Sequence, residues 1–439
     1  MGLTSRQVRL LLPLGAGVAL SLTGDSALYT VLPNQAAVMG ISLASVGVML
    51  GVNRLIRIPA NPLAGSLYDR GGRKKLFLLG LVLGILSTLS YSVAHGFWPL
   101  LAGRLLWGLA WSLINVGGYL MVLDWSASAD RGRMTGLHQI SYMVGLSLSP
   151  ILGGTLTDLI GFRQVLRLCA LISSAGLAVA LIALPETGSS PSERRVPAAA
   201  VARPSLGRLW QQVRTMDRRL LLVAYVYLLI FFTSSGILMS TISLYLRQRW
   251  GEEIVVNGLT VGVSSLAGVM LALRALLGIA GGPVAGILSD RMDSRLPVAA
   301  CAVVTGSFGF GLLALSTAVW LVPVGVSLVA LSAGALLAVL TALVGDLSDG
   351  GRGLNVGALA TAGDVGSASG PLLAYALLVR FELQWVYLFC AAALGTGLLA
   401  LRAFALSREA TQPPPSSPPP EAILTEGRSD GSEGPAFER

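Results

Sequence analysis

Charge is scarce in this chain. Of its 439 residues only 12% are charged, roughly half the share found in a water-soluble globular protein, about 25%. The hydrophobic share is 54% and the mean hydropathy is +0.72. A chain of this length has no interior large enough to hide that much apolar surface from water. A soluble enzyme, a nucleic-acid-binding protein and a disordered chain are excluded, which leaves an integral membrane protein. Cysteine is nearly missing too: Cys169, Cys301 and Cys390 lie far apart within apolar runs, so no disulfide framework is implied. The two histidines, His95 and His138, lack metal-ligand spacing. No H-E-x-x-H, C-x-x-C, G-x-S-x-G or G-x-x-x-x-G-K-[ST] occurs, which argues against a membrane-embedded enzyme and an ATP-binding loop. Neither a metal nor a cofactor is expected.

What is abundant is long apolar runs. A helix needs about 20 apolar residues to cross a hydrocarbon core. Twelve stretches qualify: 9–32, 42–64, 76–95, 98–122, 134–157, 163–184, 219–246, 257–283, 297–316, 319–343, 353–379 and 384–406. The first lacks a small-residue cleavage site and carries Asp25, so it reads as a retained span. The expected fold is all-α: twelve transmembrane helices in two pseudo-symmetric six-helix bundles. The chain divides into an N-terminal bundle (1–184), a polar Pro/Ser/Arg-rich linker (185–218), a C-terminal bundle (219–410) and a proline-rich tail (411–439) expected to be disordered.

The net charge of +9 comes from arginine, since Lys74 and Lys75 are the only lysines. Its placement points to topology, not to nucleic acid. With a cytoplasmic N-terminus, inner segments hold 21 basic residues and outer loops four: Arg163, Arg247, Arg249 and Arg380. Both ends are therefore expected in the cytoplasm, on a bacterial inner membrane. A shift of 221 residues aligns 47–70 with 268–291 without gaps, and twelve positions are identical. These include Pro62/Pro283, Gly65/Gly286, Asp69/Asp290 and Arg70/Arg291. The same shift aligns Arg131/Arg352, Gly136/Gly357, Gly145/Gly366 and Pro150/Pro371. Matched charges at one offset in two regions indicate a duplicated six-helix unit, a transporter architecture.

The segment GSLYDRGGRKK (65–75) resembles the signature loop of the major facilitator superfamily, G-x-L-x-D-R-x-G-R-[KR]-x. Gly65, Asp69, Arg70, Gly72 and Arg73 carry the match. A weaker copy, GILSDRMDSRL (286–296), keeps Asp290 and Arg291 but loses the later Gly-Arg pair. Arg104 and Gly108 resemble the superfamily's R-x-x-x-G motif in span 4. Gly145, Pro150, Gly153 and Gly154 are similar to the helix-5 motif of its drug–proton antiporters, with Ser149 where glycine is usual. Physically, Gly65 permits close helix packing. By resemblance, Asp69 docks near the inner start of span 11, Arg73 pairs with Asp124, and the loop gates the inner side. The resemblance also implies that helix 2 packs on helix 11, and helix 5 on helix 8.

Ionisable groups inside a membrane are costly and functional by default. Here they are Asp25, Arg54, Arg57, Arg104, Arg274 and Asp364. At about 1.5 Å per residue, Asp25 and Arg104 lie at one depth and read as the proton-coupling pair. Asp364 matches the depth of Arg54, and Arg57 that of Arg274; Asp364 is expected to pair with Arg54 or Arg57. Trp111 and Asn115 share a helix face with Arg104, and with Arg54, Arg57, Arg274 and Asp364 they form the candidate substrate cavity. The expected function is secondary transport by alternating access, as proton-coupled export of small organic compounds by a monomer. Four arginines against two aspartates keep an organic anion open as the cargo. A non-transporting sensor is disfavoured because the buried charges are retained.

Overall fold

The computed structural model describes residues 4–70, 72–127, 130–187, 217–256, 258–292, 294–347 and 352–409. Most of the expected linker, the tail and the entry to the eleventh span lie outside these residues. Twelve long helices follow one another: α1 (Ser5–Gln35), α2 (Leu43–Arg70), α3 (Arg73–Val93), α4 (Phe97–Trp125), α5 (Arg131–Ile160) and α6 (Phe162–Ala183), then α7 (Arg218–Trp250), α8 (Val263–Asp290), α9 (Leu296–Leu315), α10 (Leu321–Asp346), α11 (Arg352–Leu377) and α12 (Leu383–Glu409). Among the described residues, eleven are long and apolar enough to cross a membrane. The exception, α11, is as long as its neighbours but rich in Gly, Ala and Ser, and it carries Asp364.

Local sequence sets the ends. At the start of α1, Thr4 and Gln7 form a reciprocal capping box, which satisfies two otherwise orphaned amides. Residues 258–262, expected inside the eighth span, instead belong to a hairpin of β1 (Glu253–Val256) and β2 (Leu259–Gly262). The reason is legible afterwards: β-branched residues flank an Asn-Gly pair, the strongest short-range hairpin signal. Gly258 takes the left-handed conformation that the turn requires, with φ +84°.

Within the first half α1 packs on α5 and α6, α3 on α4 and α6, and α2 on α4. The second half repeats this: α7 packs on α11 and α12, α9 on α10 and α12, and α8 on α10. The halves meet through α2–α11, through α5–α8, and where the end of α7 crosses α1.

Glycines show where these contacts are tight. A Cβ on Gly47 would sit 2.6 Å from the Pro371 carbonyl, and one on Gly51 2.6 Å from that of Ala368. Gly154 and Gly268 press on the carbonyls of Ser264 and Pro150 in the same way. All four lie toward the end of the helices remote from the chain termini, called here the far end. At the terminal end, Gly65, Gly132, Gly136, Gly286 and Gly357 would each meet nothing within 4 Å among the described residues. The two halves converge at the far end and part at the terminal end.

Candidate functional site

Close approach of α4 and α2 builds the first part of the site. Gly108, one turn beyond Arg104, leaves room for the Asn53 backbone, which a Cβ would meet at 2.6 Å. Arg104 itself is 1% exposed and donates to Asp25 Oδ1 at 2.6 Å and to the Met49 carbonyl at 2.6 Å. Its guanidinium lies over the rings of Tyr29 (5.5 Å) and Tyr91 (6.0 Å). Cation–π contact of this kind replaces part of the lost hydration. Asp25 keeps 14% exposure, so one member of the pair is sealed while the other stays partly accessible.

The second part spans both halves. Arg57 on α2 stands 3.9 Å from Asp364 on α11, with 17% and 23% exposure. Of the two arginines expected as partners for Asp364, the structure pairs Arg57. Arg54 makes no ion pair among the described residues; it lies beside Tyr29 and within electrostatic reach of Asp25. The Arg57 guanidinium also faces Trp111 at 6.0 Å, and Trp111 packs on Tyr142 at 5.6 Å. Arg274 on α8 donates to Ser234 (3.3 Å) and Ser235 (2.8 Å). Both serines sit on a π-helical stretch of α7, Phe231–Leu238. Such bulges are frequent at functional sites. Asn115 is half-buried and bonds no described side chain. The serines, Tyr142 and the π-helical stretch escaped sequence reasoning, because hydropathy alone does not mark them.

The loop motif resolves into a brace and an exposed tip. Arg73, nearly buried, donates to Asp124 (3.0 Å) and to the Tyr68 carbonyl (3.1 Å). Gly72 caps α3, and the Lys74 amide bonds Glu186 at 3.1 Å. Asp69 and Arg70 are exposed, and Asp69 bonds no described residue. The expected docking point of Asp69, the entry to α11, lies outside the described residues. Gly65 does not serve close packing in this conformation, because the halves have parted there. In the second half Arg291 is exposed, while Arg295 reaches Asp346 at 3.1 Å and Asp290 at 3.9 Å. That clasp repeats Arg73–Asp124, so the second copy has not lost its late arginine; a one-residue slip hid it.

These features find their counterpart in one family. The sequence profile of the Major Facilitator Superfamily matches residues 14–277 and 262–432. The chain belongs to the Major Facilitator Superfamily, whose members are generally non-enzymatic carriers. It is 25% identical over 301 residues to an uncharacterised transporter of the superfamily from Mycobacterium tuberculosis, covering 68% of this chain but 38% of that protein. It is 25% identical over 395 residues to the class C tetracycline resistance protein of Escherichia coli, covering 87% of this chain and 95% of that one. The crystal structure of a bacterial homologue of the human lysosomal transporter Spinster, inward-facing and occupied, shares the fold with TM-score 0.66 at 16% identity, over 93% and 96% of the two chains.

In this superfamily member the helix-5 motif is a three-way packing surface. A Cβ on Gly145 would meet the Ala19 carbonyl of α1 at 2.7 Å, Gly153 lies against Ala27, and Gly154 against α8. Pro150 offers its carbonyl to Gly268, and Ser149 turns its hydroxyl back to Gly145. Polar bonds then fasten the far end. Asp158 accepts from the Ser265 amide (2.7 Å) and hydroxyl (2.6 Å), at the start of α8. Asn34 donates to the Ser243 hydroxyl at 2.7 Å, and Arg247 to the Asn34 carbonyl at 2.6 Å.

Proposed function

We propose that this chain is a secondary transporter of twelve membrane spans in two six-helix bundles, which exports small organic compounds in exchange for protons. The observation that carries the reading is the Asp25–Arg104 pair, in which a sealed arginine holds a carboxylate that remains partly accessible. Asp25 in its ionised form is held by Arg104; taking a proton weakens that bond and frees Arg104 to relax. Protons therefore bias the two arrangements of the helices differently, which is what coupling requires. The drug-resistance name of the Escherichia coli relative supports export.

The charge asymmetry supports cytoplasmic termini; with that orientation, a bundle parted at its terminal end is open to the cytoplasm. Alternating access requires the opposite state too, with the far end open and the terminal end shut. In that state Asp69 docks at the entry to α11 and latches the terminal end. The transporter works as a monomer in the bacterial inner membrane. Inside-out vesicles with an acidic lumen test the reading across charged and neutral organic compounds. Accumulation that stops when the gradient is collapsed is the expected result. Accumulation indifferent to the gradient, or none for any class, would contradict it.

A further inference from the structure

The six ionisable side chains between the helices do not balance. Asp25 is taken by Arg104 at 2.6 Å, and Asp364 shares Arg57 only at 3.9 Å. Arg54 and Arg274 make no ion pair among the described residues, and the carboxylate within electrostatic reach of Arg54, Asp25, is already bonded to Arg104. A buried cation without a counterion is costly, yet three arginines gather here, with Arg54 within electrostatic reach of both Arg57 and Arg274. Nor are they fully bonded. Arg57 Nε is buried with no partner, and so is the Asn61 Oδ1 one turn further along α2. Arg274 is aimed by two neutral hydroxyls, Ser234 and Ser235, that orient the guanidinium without cancelling its charge. The π-helical stretch of α7 presents both hydroxyls to Arg274. Beside the arginines, Tyr142 is half-buried and backed by Trp111.

We infer that this space takes an organic anion, whose carboxylate or sulfonate group bridges Arg54, Arg57 and Arg274 and whose apolar body lies against Tyr142. The inference rests on the transporter reading above and names its cargo. Guanidinium groups recognise such oxyanions through paired, charge-assisted hydrogen bonds. The three arginines come from α2 and α8, which belong to different halves, so a bound anion holds the halves in one arrangement. Asp364 is the built-in competitor: with the site empty its carboxylate faces Arg57, and an entering anion displaces it. Ligand charge and Asp364 charge therefore oppose one another at a single guanidinium.

The test uses the purified full chain in detergent and one scaffold in three forms: 1-naphthoate, 1-naphthylmethanol and 1-naphthylmethylammonium. Binding is read as the concentration-dependent rise of the thermal unfolding midpoint. Naphthoate should bind, and the alcohol and ammonium forms should bind at least roughly tenfold more weakly, the value of one charge-assisted hydrogen bond. Arg274→Gln and Arg54→Gln should each weaken naphthoate by roughly tenfold or more, while Arg274→Lys restores part of it. Asp364→Asn should bind naphthoate more tightly than the native chain, an outcome that a merely structural aspartate would not give. Equal binding of the three forms, no naphthoate binding at millimolar concentration, or native binding by folded Arg274→Gln would each overturn the inference. No gradient is present, so a failure of proton coupling leaves this result unaffected, and the reverse holds as well.

Discussion

Arg104 cannot shed its charge, and that makes Asp25 indispensable to the fold in one form and dispensable in another. Its guanidinium is 1% exposed and has four sources of compensation: Asp25, the Met49 carbonyl, and the faces of Tyr29 and Tyr91. Removing one partner of a buried pair strands the other charge at a cost of about 3–5 kcal/mol. Asp25→Ala should therefore lower stability by about that amount. Asp25→Asn keeps an oxygen that accepts from Arg104, so its loss should be less than half as large. Denaturant unfolding of the three proteins in detergent checks the ordering; equal losses from the two variants would show that the acceptor does not matter. The pair was legible in the sequence because two opposite charges fell at one depth on helices α1 and α4. The Met49 carbonyl and the tyrosine faces were not, since backbone acceptors and ring orientations leave no mark in a hydropathy pattern.

Elements α5 and α8 carry the closure of the far end. Their contact is backbone on backbone at Gly154–Ser264 and Gly268–Pro150, and Asp158 adds two hydrogen bonds to the start of α8. Gly154→Leu has no room here, and overpacking of this kind costs about 1–3 kcal/mol. It should push the population toward the far-end-open state by roughly tenfold. Asp158→Ala should move it the same way by a smaller amount, because the helix-start amide then bonds water instead. Asp69→Asn should act in the opposite sense, weakening closure of the terminal end. Cysteine labelling from each side of the membrane reads all three: the first two variants should raise labelling at the far end, and the third at the terminal end. Unchanged labelling in folded Asp158→Ala would show that its bonds to α8 are incidental. Gly145, Pro150, Gly153 and Gly154 were visible as a motif in sequence, but Asp158 was not, since a single aspartate at a helix end usually faces solvent.

At the scale of the molecule, duplication explains both what could be read and what could not. The shared offset of 221 residues relates two stretches of sequence in each half, and the clasps Arg73–Asp124 and Arg295–Asp346 recur at corresponding places, one residue out of register. The site, by contrast, breaks the symmetry: Arg54, Arg57 and Asp364 align with Ala275, Gly278 and Met143. Their depths could be estimated from residue counts, but the choice of Arg57 over Arg54 depends on side-chain direction, which counting does not supply. The π-helical turn of α7 is likewise a backbone event inside an ordinary apolar run. The central claim is that Asp25 couples proton movement to this two-state cycle. Reconstituted vesicles separate the two parts, by following a transported compound in gradient-driven accumulation and in exchange without a gradient. Asp25→Asn should abolish accumulation while retaining exchange, because the helices still alternate when no proton is needed. Full gradient-driven accumulation by Asp25→Asn would contradict the account.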